Sequence, residues 1–153
     1  MTYFDENHIK SLEHLYKINL INSCSGYKSG NLIGSKSKDG LENVAVFSSI
    51  THIGSSPAML GFFMRPTTVV RNTYDNIKAT GLYTINHIHE NIIEDAHHTS
   101  AKYNTSISEF DATSLNSEYK NDFFAPFVRH APIQLAMQFV EEYNIKANNT
   151  ILI

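Results

Sequence analysis

The first group of residues that could do chemistry follows an apolar stretch ending at Phe47. Ser48, Ser49 and Thr51 come directly after it, and residues 54–57 add further small polar groups. Hydroxyls and free backbone N–H groups at one strand end can surround phosphate oxygens or the carbonyls of a heteroaromatic ring without carrying charge. The alternative is a polar loop that caps a strand.

The second group places two guanidinium groups and three threonines between an apolar stretch and a predicted helix. Arg65, Thr67 and Thr68 begin it, and Arg71 and Thr73 end it. A helix N-terminus carries partial positive charge, and an arginine can fork onto two phosphate oxygens. The pattern indicates a phosphate monoester site, with surface arginines paired to carboxylates as the alternative.

Histidines form a third group. His87 and His89 alternate on a predicted strand, while Glu94, His97 and His98 fall on a predicted helix. Zinc or iron needs several such groups to converge, and a Glu-x-x-His pair is diagnostic only when duplicated in a four-helix bundle. We predict no metal site and expect surface or hydrogen-bonded histidines.

Nucleophilic chemistry has less support. Ser48, Ser49 and His52 lack the strained turn of a serine hydrolase and an acid to orient the histidine. The single cysteine, Cys24, has no second thiol for a disulfide or a zinc site, so we expect it to be buried and inert. We therefore assign no catalytic side chain.

Short strands are the main elements that would position these groups. Their apolar patterns fall at residues 31–35, 41–47, 58–64, 82–87 and 133–143. The Asp39-Gly40 pair predicts a tight hairpin between the first two, and the third is apolar enough to be buried on both faces. Asn148-Asn149 predicts a turn into a last strand at 150–153.

Helices are short in this prediction. One lies within residues 5–16, another spans residues 71–79 and is ended by Gly81, and a third opens with Asn91 as its cap and runs to His98. Residues 111–132 are polar, aromatic and punctuated by proline, which is typical of an ordered surface loop. Together, these strands and helices predict a mainly antiparallel β domain of barrel type.

Composition limits the possible functions. The chain has 153 residues, 18% of them charged and 42% hydrophobic, which fits one globular domain. Its formal net charge of -3 provides no positive field for nucleic acid. The longest apolar run, residues 58–64, falls far short of the roughly 20 residues that a membrane span requires. The first residues lack the pattern of a secretion signal, so we expect a cytoplasmic protein.

The order of several motifs resembles the flavin reductase-like, FMN-binding split-barrel family. These motifs are Asn31-Leu32-Ile33-Gly34-Ser35, Asp39-Gly40, Asn43, Ser48-Ser49, Ser56-Pro57, Arg65-Pro66, Asn72-Thr73, Asn76-Ile77 and Thr84-Ile85-Asn86. The resemblance continues through Ser108-Glu109-Phe110 and Ala125-Pro126-Phe127 to Pro132, and covers most of the chain from about Leu20 onward.

The resemblance implies a Greek-key split β-barrel with short flanking helices. It further implies a homodimer that binds FMN at the subunit interface and transfers hydride from NAD(P)H to flavin N5, with a flavin-using oxygenase as a further partner. By motif position, the residues expected to bind the cofactor are Asn43, Ser48, Ser49, Ile50, Thr51, Arg65, Thr67, Arg71, Asn72 and Thr73. The first five match the segment that contacts ribityl, phosphate and ring, and the others match the segment that holds phosphate.

Two features depart from the family pattern. The chain stops at Ile153, where family members continue, so we expect residues 1–153 to be a single split-barrel domain without its C-terminal strands. The chain is also richer in histidine than the pattern requires. A flavin-binding protein without turnover is therefore the alternative function, and a histidine-based metalloenzyme is a further one.

Overall fold

The computed structural model describes residues 3–153. Its helices are α1 (Glu6–Ser11), α2 (His14–Ser23), α3 (Asn72–Thr80), α4 (Ile93–His98) and α5 (Glu109–Ala112). Its strands are β1 (Asn31–Lys36), β2 (Glu42–Phe47), β3 (Thr51–Ser55), β4 (Ala58–Gly61), β5 (Phe63–Met64), β6 (Leu82–His87), β7 (Ser117–Glu118), β8 (Phe127–Val128), β9 (Gln134–Gln138), β10 (Tyr143–Ile145) and β11 (Thr150–Leu152). None of the helices in this part of the chain is long and apolar enough to cross a membrane.

The main sheet has four strands in the order β2-β1-β6-β9, and all neighbours are antiparallel. The predicted hairpin of β1 and β2 is confirmed, with Lys36 opposite Glu42. Gly40 in its connection has a φ of +94°, a conformation that residues with a Cβ rarely adopt. Since β2 lies at one edge of the sheet, its outer backbone groups need partners from elsewhere.

Smaller antiparallel groups complete the β structure. β3 and β4 form a hairpin with a register shift between His52 and Gly54. β11 follows the predicted turn and pairs with β10 on one side and β5 on the other. Reciprocal backbone hydrogen bonds of 2.9 Å between Phe62 and Ile153 extend that pairing. The prediction of a mainly β fold with short helices is confirmed.

Two apolar clusters lie on the two faces of the main sheet, because alternate residues of a strand point to opposite sides. Ile33 and Ile85 pack with Phe62 between the main sheet and the smaller ones. Leu32 and Val44 belong to the second cluster, which α4 and α5 cover. The sheet is thus buried on both faces at its centre.

Helix α3 matches its prediction within one residue at each end. Gly81 ends it with a φ of +73°, and the Gly81 N–H donates to the Ile77 carbonyl at 2.8 Å. Ile77 is buried and Tyr74 packs against the same cluster. One face of α3 is therefore fixed on the sheet.

The predicted surface loop at residues 111–132 is partly wrong, because residues 125–128 are buried. We call these four residues the strap. The Thr84 hydroxyl donates to the Pro126 carbonyl at 2.6 Å, and the Val128 N–H donates to Asn86 Oδ1 at 3.0 Å. Side chains of β6 thus satisfy the backbone of the strap, which allows it to be buried.

The N-terminal prediction is also wrong in part. The single expected helix is two helices, and α2 runs to Ser23, beyond the predicted helical residues 5–16. Asp5 does cap α1, since its carboxylate accepts from the His8 N–H at 2.8 Å. Cys24 is exposed rather than buried. Neither helix has a buried residue, so local propensity, not packing, defines them in the single chain.

Three further elements differ from expectation. The strand predicted at residues 133–143 ends at Gln138 as β9, and Tyr143 begins the separate strand β10. Residues 58–64 form two strands with different partners, and Phe63 is exposed, so this stretch is not buried on both faces. Asn91 does not cap α4, because a 3₁₀ turn at Glu90–Ile92 precedes that helix and the His89 side chain caps the turn. Which residue caps a helix depends on where the chain bends. The side-chain types alone do not determine that position.

Candidate functional site

The segment after β2 is held against β5 by one side chain. Ser49 Oγ accepts from the Phe63 N–H at 3.0 Å and donates to the Phe63 carbonyl at 3.2 Å. Ile50 packs against the buried core, and Thr51 pairs with Gly61. Ser48 is exposed. The structure therefore brings the first predicted group next to the start of the second.

Arg65 and Thr67 lie in the exposed connection between β5 and α3. Arg71 is the N-cap residue of α3 and makes no side-chain capping hydrogen bond, so the first backbone N–H groups of the helix lack such a partner. Arg71 Nε is buried and has no hydrogen-bond partner among the described residues. A buried donor without a partner next to an uncapped helix N-terminus is a setting suited to an anion.

Asn43 and Thr73 lie behind this helix end and not on the surface, with exposures of 3% and 4%. The two side chains are in contact, with an amide atom of Asn43 2.9 Å from Thr73 Oγ1. Ser35 Oγ lies 3.3 Å from the same amide atom and accepts from Asn76 Nδ2 at 3.2 Å. These side chains fasten the first turns of α3 to β1 and β2.

Asn72 turns away from that network. Its Nδ2 donates to the Thr105 carbonyl at 3.0 Å, which ties the start of α3 to the chain that precedes α5. Its side-chain amide nitrogen is therefore occupied, while its backbone N–H belongs to the uncapped first turn.

Glu109 is not among the ten residues predicted to bind the cofactor. Its Oε2 accepts from the Val44 N–H at 3.1 Å. An amide atom of Asn43 lies 3.2 Å from the same oxygen, and because a carboxylate can only accept, we assign that atom as the donating Nδ2. Burial raises the pKa of Glu109 above its ordinary value, while hydrogen bonds from backbone N–H groups, Val44 among them, oppose that shift. The sequence offered only the Ser108-Glu109-Phe110 motif of the family resemblance, which held no indication of a contact with β2.

Ser48 and the N-terminus of α3 lie toward opposite ends of β2. Asn43 is near its start, where it contacts α3, and Ser48 follows its last residue, Phe47. At about 3.3 Å per strand residue these positions are roughly 15 Å apart along the strand. The connection from Arg65 to Arg71 begins after β5, beside Ser49, and ends at α3. A ligand that reaches from Ser48 to the N-terminus of α3 must therefore be extended.

The histidines do not converge. Within residues 3–153, no three His, Cys, Asp or Glu side chains group closely enough to hold a metal ion. His52 Nε2 lies 3.1 Å from Ser55 Oγ within the β3–β4 hairpin, and His89 Nδ1 accepts from the Asn91 N–H at 3.3 Å. These are local contacts, and the histidine-based alternative gains no support from them.

An apolar cavity of about 120 Å³ lies at the edge of β3 and β4, away from the ten predicted residues. Leu60, Tyr83 and Met137 are among its lining residues, together with Ile53 and Val140. Burial raises the pKa of Tyr83 to about 12, so its phenol stays protonated at neutral pH. The cavity suits apolar contact and not the binding of a charged group.

Comparison with known proteins decides the family. The family model of the flavin reductase like domain matches residues 25–153. The chain belongs to this flavin reductase like family. That assignment confirms the resemblance read from the order of motifs along the sequence.

Solved structures confirm the fold of this flavin reductase like chain. It is similar to a protein from Shewanella frigidimarina NCIMB 400 assigned as a flavin reductase with split barrel domain, at 42% identity and a TM-score of 0.95, over 99% of this chain and 75% of that one. The predicted split-barrel fold is therefore confirmed.

More distant likenesses concern the fold alone. Nitrilotriacetate monooxygenase component B from Bacillus cereus has 16% identity and a TM-score of 0.82, over 99% of this chain and 76% of that one. The NADH:FAD oxidoreductase of Streptomyces globisporus C-1027 has 12% identity and a TM-score of 0.72, over 92% of this chain and 80% of that one.

Proposed function

We propose that this flavin reductase like protein binds FMN and catalyses its reduction by NAD(P)H. The observation that carries the proposal is the uncapped N-terminus of α3 beside Arg71 Nε, which finds no hydrogen-bond partner within residues 3–153. A phosphate monoester of charge about -1.5 to -2 would supply the missing acceptor there. The family assignment makes a flavin the phosphate ester to test first.

FMN also has the required shape, since a ribityl chain separates its phosphate from its ring. In this proposal Arg65, Thr67, Arg71 and Asn72 hold the phosphate end. Ser48, Ser49, Ile50 and Thr51 hold the ring end through hydroxyl and backbone groups. Asn43 and Thr73 are buried, so we assign them to positioning α3.

The bound flavin would supply the redox chemistry, accepting a hydride at N5 from the nicotinamide while a proton comes from solvent. The chain's own residues then bind and orient the two partners, which is consistent with the absence of an assigned catalytic side chain. A fold relative that is an NADH:FAD oxidoreductase supports the choice of donor and makes FAD the competing flavin.

We propose in addition that two copies of the chain associate with the flavin between them, and that the product serves a flavin-using oxygenase. Ile53, Phe63, Val140 and Tyr143 are large apolar residues that stay exposed in the single chain near the apolar cavity. Patches of this kind mark association surfaces. The component B relative is named for a monooxygenase, which supports the partner.

The first experiment is a visible absorption spectrum of the purified protein, with FMN added where none is retained, followed by anaerobic addition of NADH or NADPH. Flavin bands that bleach in proportion to the donor are the expected result. Bands that persist with both donors favour a flavin-binding protein without turnover. Failure to bind FMN or FAD at micromolar concentration would contradict the proposal. Parallel titrations with the two flavins decide between them.

A further inference from the structure

The buried carboxylate of Glu109 is linked to the first turn of α3 through one intervening side chain. Its Oε2 accepts from Asn43 Nδ2 at 3.2 Å, and Asn43 Oδ1 accepts from Thr73 Oγ1 at 2.9 Å. Residues from α5, β2 and α3 thus form one series of hydrogen bonds. The series ends on a helix whose N-terminus is uncapped.

The acceptor oxygen of Glu109 sets the direction of this series. A carboxylate can only accept hydrogen bonds, so the Asn43 amide must present its nitrogen to Glu109 and its oxygen to Thr73. The Thr73 hydroxyl must then donate toward Asn43. A side chain without an acceptor at position 109 would free the amide to rotate and would release the helix from its fixed orientation.

Glu109 also has a local structural role that must be separated from this one. It accepts from the Val44 N–H at the outer edge of β2, and Thr99 Oγ1 accepts from the next outward N–H, that of Val46, at 2.9 Å. Both side chains therefore protect the same strand edge. Only Glu109 continues to α3, so Thr99 provides a matched control.

We propose that Glu109 is a positioning residue for the flavin phosphate, because it fixes the N-terminus of α3 through Asn43 and Thr73. The inference rests on the proposed function, since it requires that a flavin phosphate binds at this helix end. Helix α5 therefore influences FMN affinity, although it lies outside both predicted groups. No contact between Glu109 and the flavin is involved.

The test measures the dissociation constant for FMN by flavin fluorescence in four variants of the full chain. Glu109→Leu removes the acceptor, and Asn43→Ala interrupts the series while keeping the bond from Glu109 to Val44. Both should weaken FMN binding at least about fivefold, because a buried partner is lost. Glu109→Gln keeps an acceptor and should stay within about twofold. Thr99→Val removes the edge hydrogen bond to Val46 and a local one to the Ala96 carbonyl, neither of which reaches α3, and should also stay within that limit.

A second readout does not depend on flavin. The amide resonance of Thr73 in the flavin-free protein should shift in Glu109→Leu and Asn43→Ala but not in Thr99→Val. If Glu109→Leu does not fold, Asn43→Ala decides the matter alone. Unchanged FMN affinity in Asn43→Ala, or an equal loss in Thr99→Val, would overturn the positioning role. A wild-type protein that binds no flavin would instead overturn the proposed function, and this inference with it.

Discussion

At the scale of single residues, the polar groups of the two predicted segments divide by burial. Arg65 and Thr67 are exposed and free to meet a ligand, whereas Asn43 and Thr73 are enclosed in a hydrogen-bonded network with Ser35. Buried polar side chains of this kind fix the geometry around them when every member has a partner. The exposed groups are thus candidates for contact, and the buried ones for support.

The two arginines at the phosphate end lead to a direct prediction. Replacing both, Arg65→Ala with Arg71→Ala, should raise the FMN dissociation constant at least about tenfold, because charge-assisted hydrogen bonds contribute roughly 1.5 to 3 kcal/mol. Equilibrium titration with FMN measures the dissociation constant. Arg129→Ala alters an exposed arginine directly after the strap and should leave the FMN dissociation constant unchanged. Equal affinities in the double variant and the wild type would refute the phosphate assignment.

The raised pKa of Glu109 predicts a specific pH dependence of stability. Below its ordinary pKa the carboxyl is protonated in both states; as pH rises through the raised folded pKa, the folded protein must ionise a buried group and loses stability. Glu109→Gln stays neutral, so its unfolding free energy relative to wild type should increase between pH 4 and pH 7. Urea unfolding at both pH values measures this.

At the scale of elements, β1 approaches the strap closely on the sheet face that carries Leu32 and Val44. This contact determines how that face is covered. A Cβ built on Gly34 would fall against the Pro126 carbonyl oxygen and lie 2.6 Å from Thr84 Oγ1. The Pro126 carbonyl is part of the backbone and the Thr84 hydroxyl is buried, so neither group can move away easily. Gly34 is therefore required for packing, since its backbone conformation is that of an ordinary strand.

This geometry predicts a large cost for Gly34→Ala. We expect it to lower the free energy of unfolding by about 2 to 3 kcal/mol, the upper part of the range for overpacked cores. Denaturant titration measures the loss. At Gly30 a new Cβ would meet only the end of the Ile88 side chain, at 3.2 Å, and Gly30→Ala should cost less than about 1 kcal/mol. Similar losses at the two positions would argue against the tight strap contact.

At the scale of the whole molecule, the single chain leaves apolar surface in places where a partner would cover it. Val140 is 69% exposed and Ile53 is 51% exposed, both beside the apolar cavity. The hairpin of β3 and β4 continues from the segment that we assign to the flavin ring. If two chains associate through this surface, dimerisation would be coupled to flavin binding.

Val140→Glu tests that association. The substitution should cost the isolated chain little, because the side chain is already exposed, but it should convert a dimer to a monomer by placing a charge in an apolar contact. Sedimentation velocity at several concentrations measures the change, with FMN affinity measured alongside. Ile107→Glu alters an exposed apolar residue elsewhere and should leave the assembly unchanged. A wild-type chain that is monomeric at all concentrations would contradict the homodimer.

The sequence by itself determined the elements that local rules encode. The short stretch after Gly81 predicted β6, Asp39-Gly40 predicted the β1–β2 hairpin, and Gly81 ended α3, because each depends on residues next to one another. The order of motifs was sufficient to predict the family, which comparison then confirmed. Contacts between distant parts were decided only by the tertiary structure. Glu109 meets Val44 across 65 positions of sequence, and β5 pairs with β11. No local pattern specifies such partners, since burial and hydrogen bonding between them arise only when the chain packs.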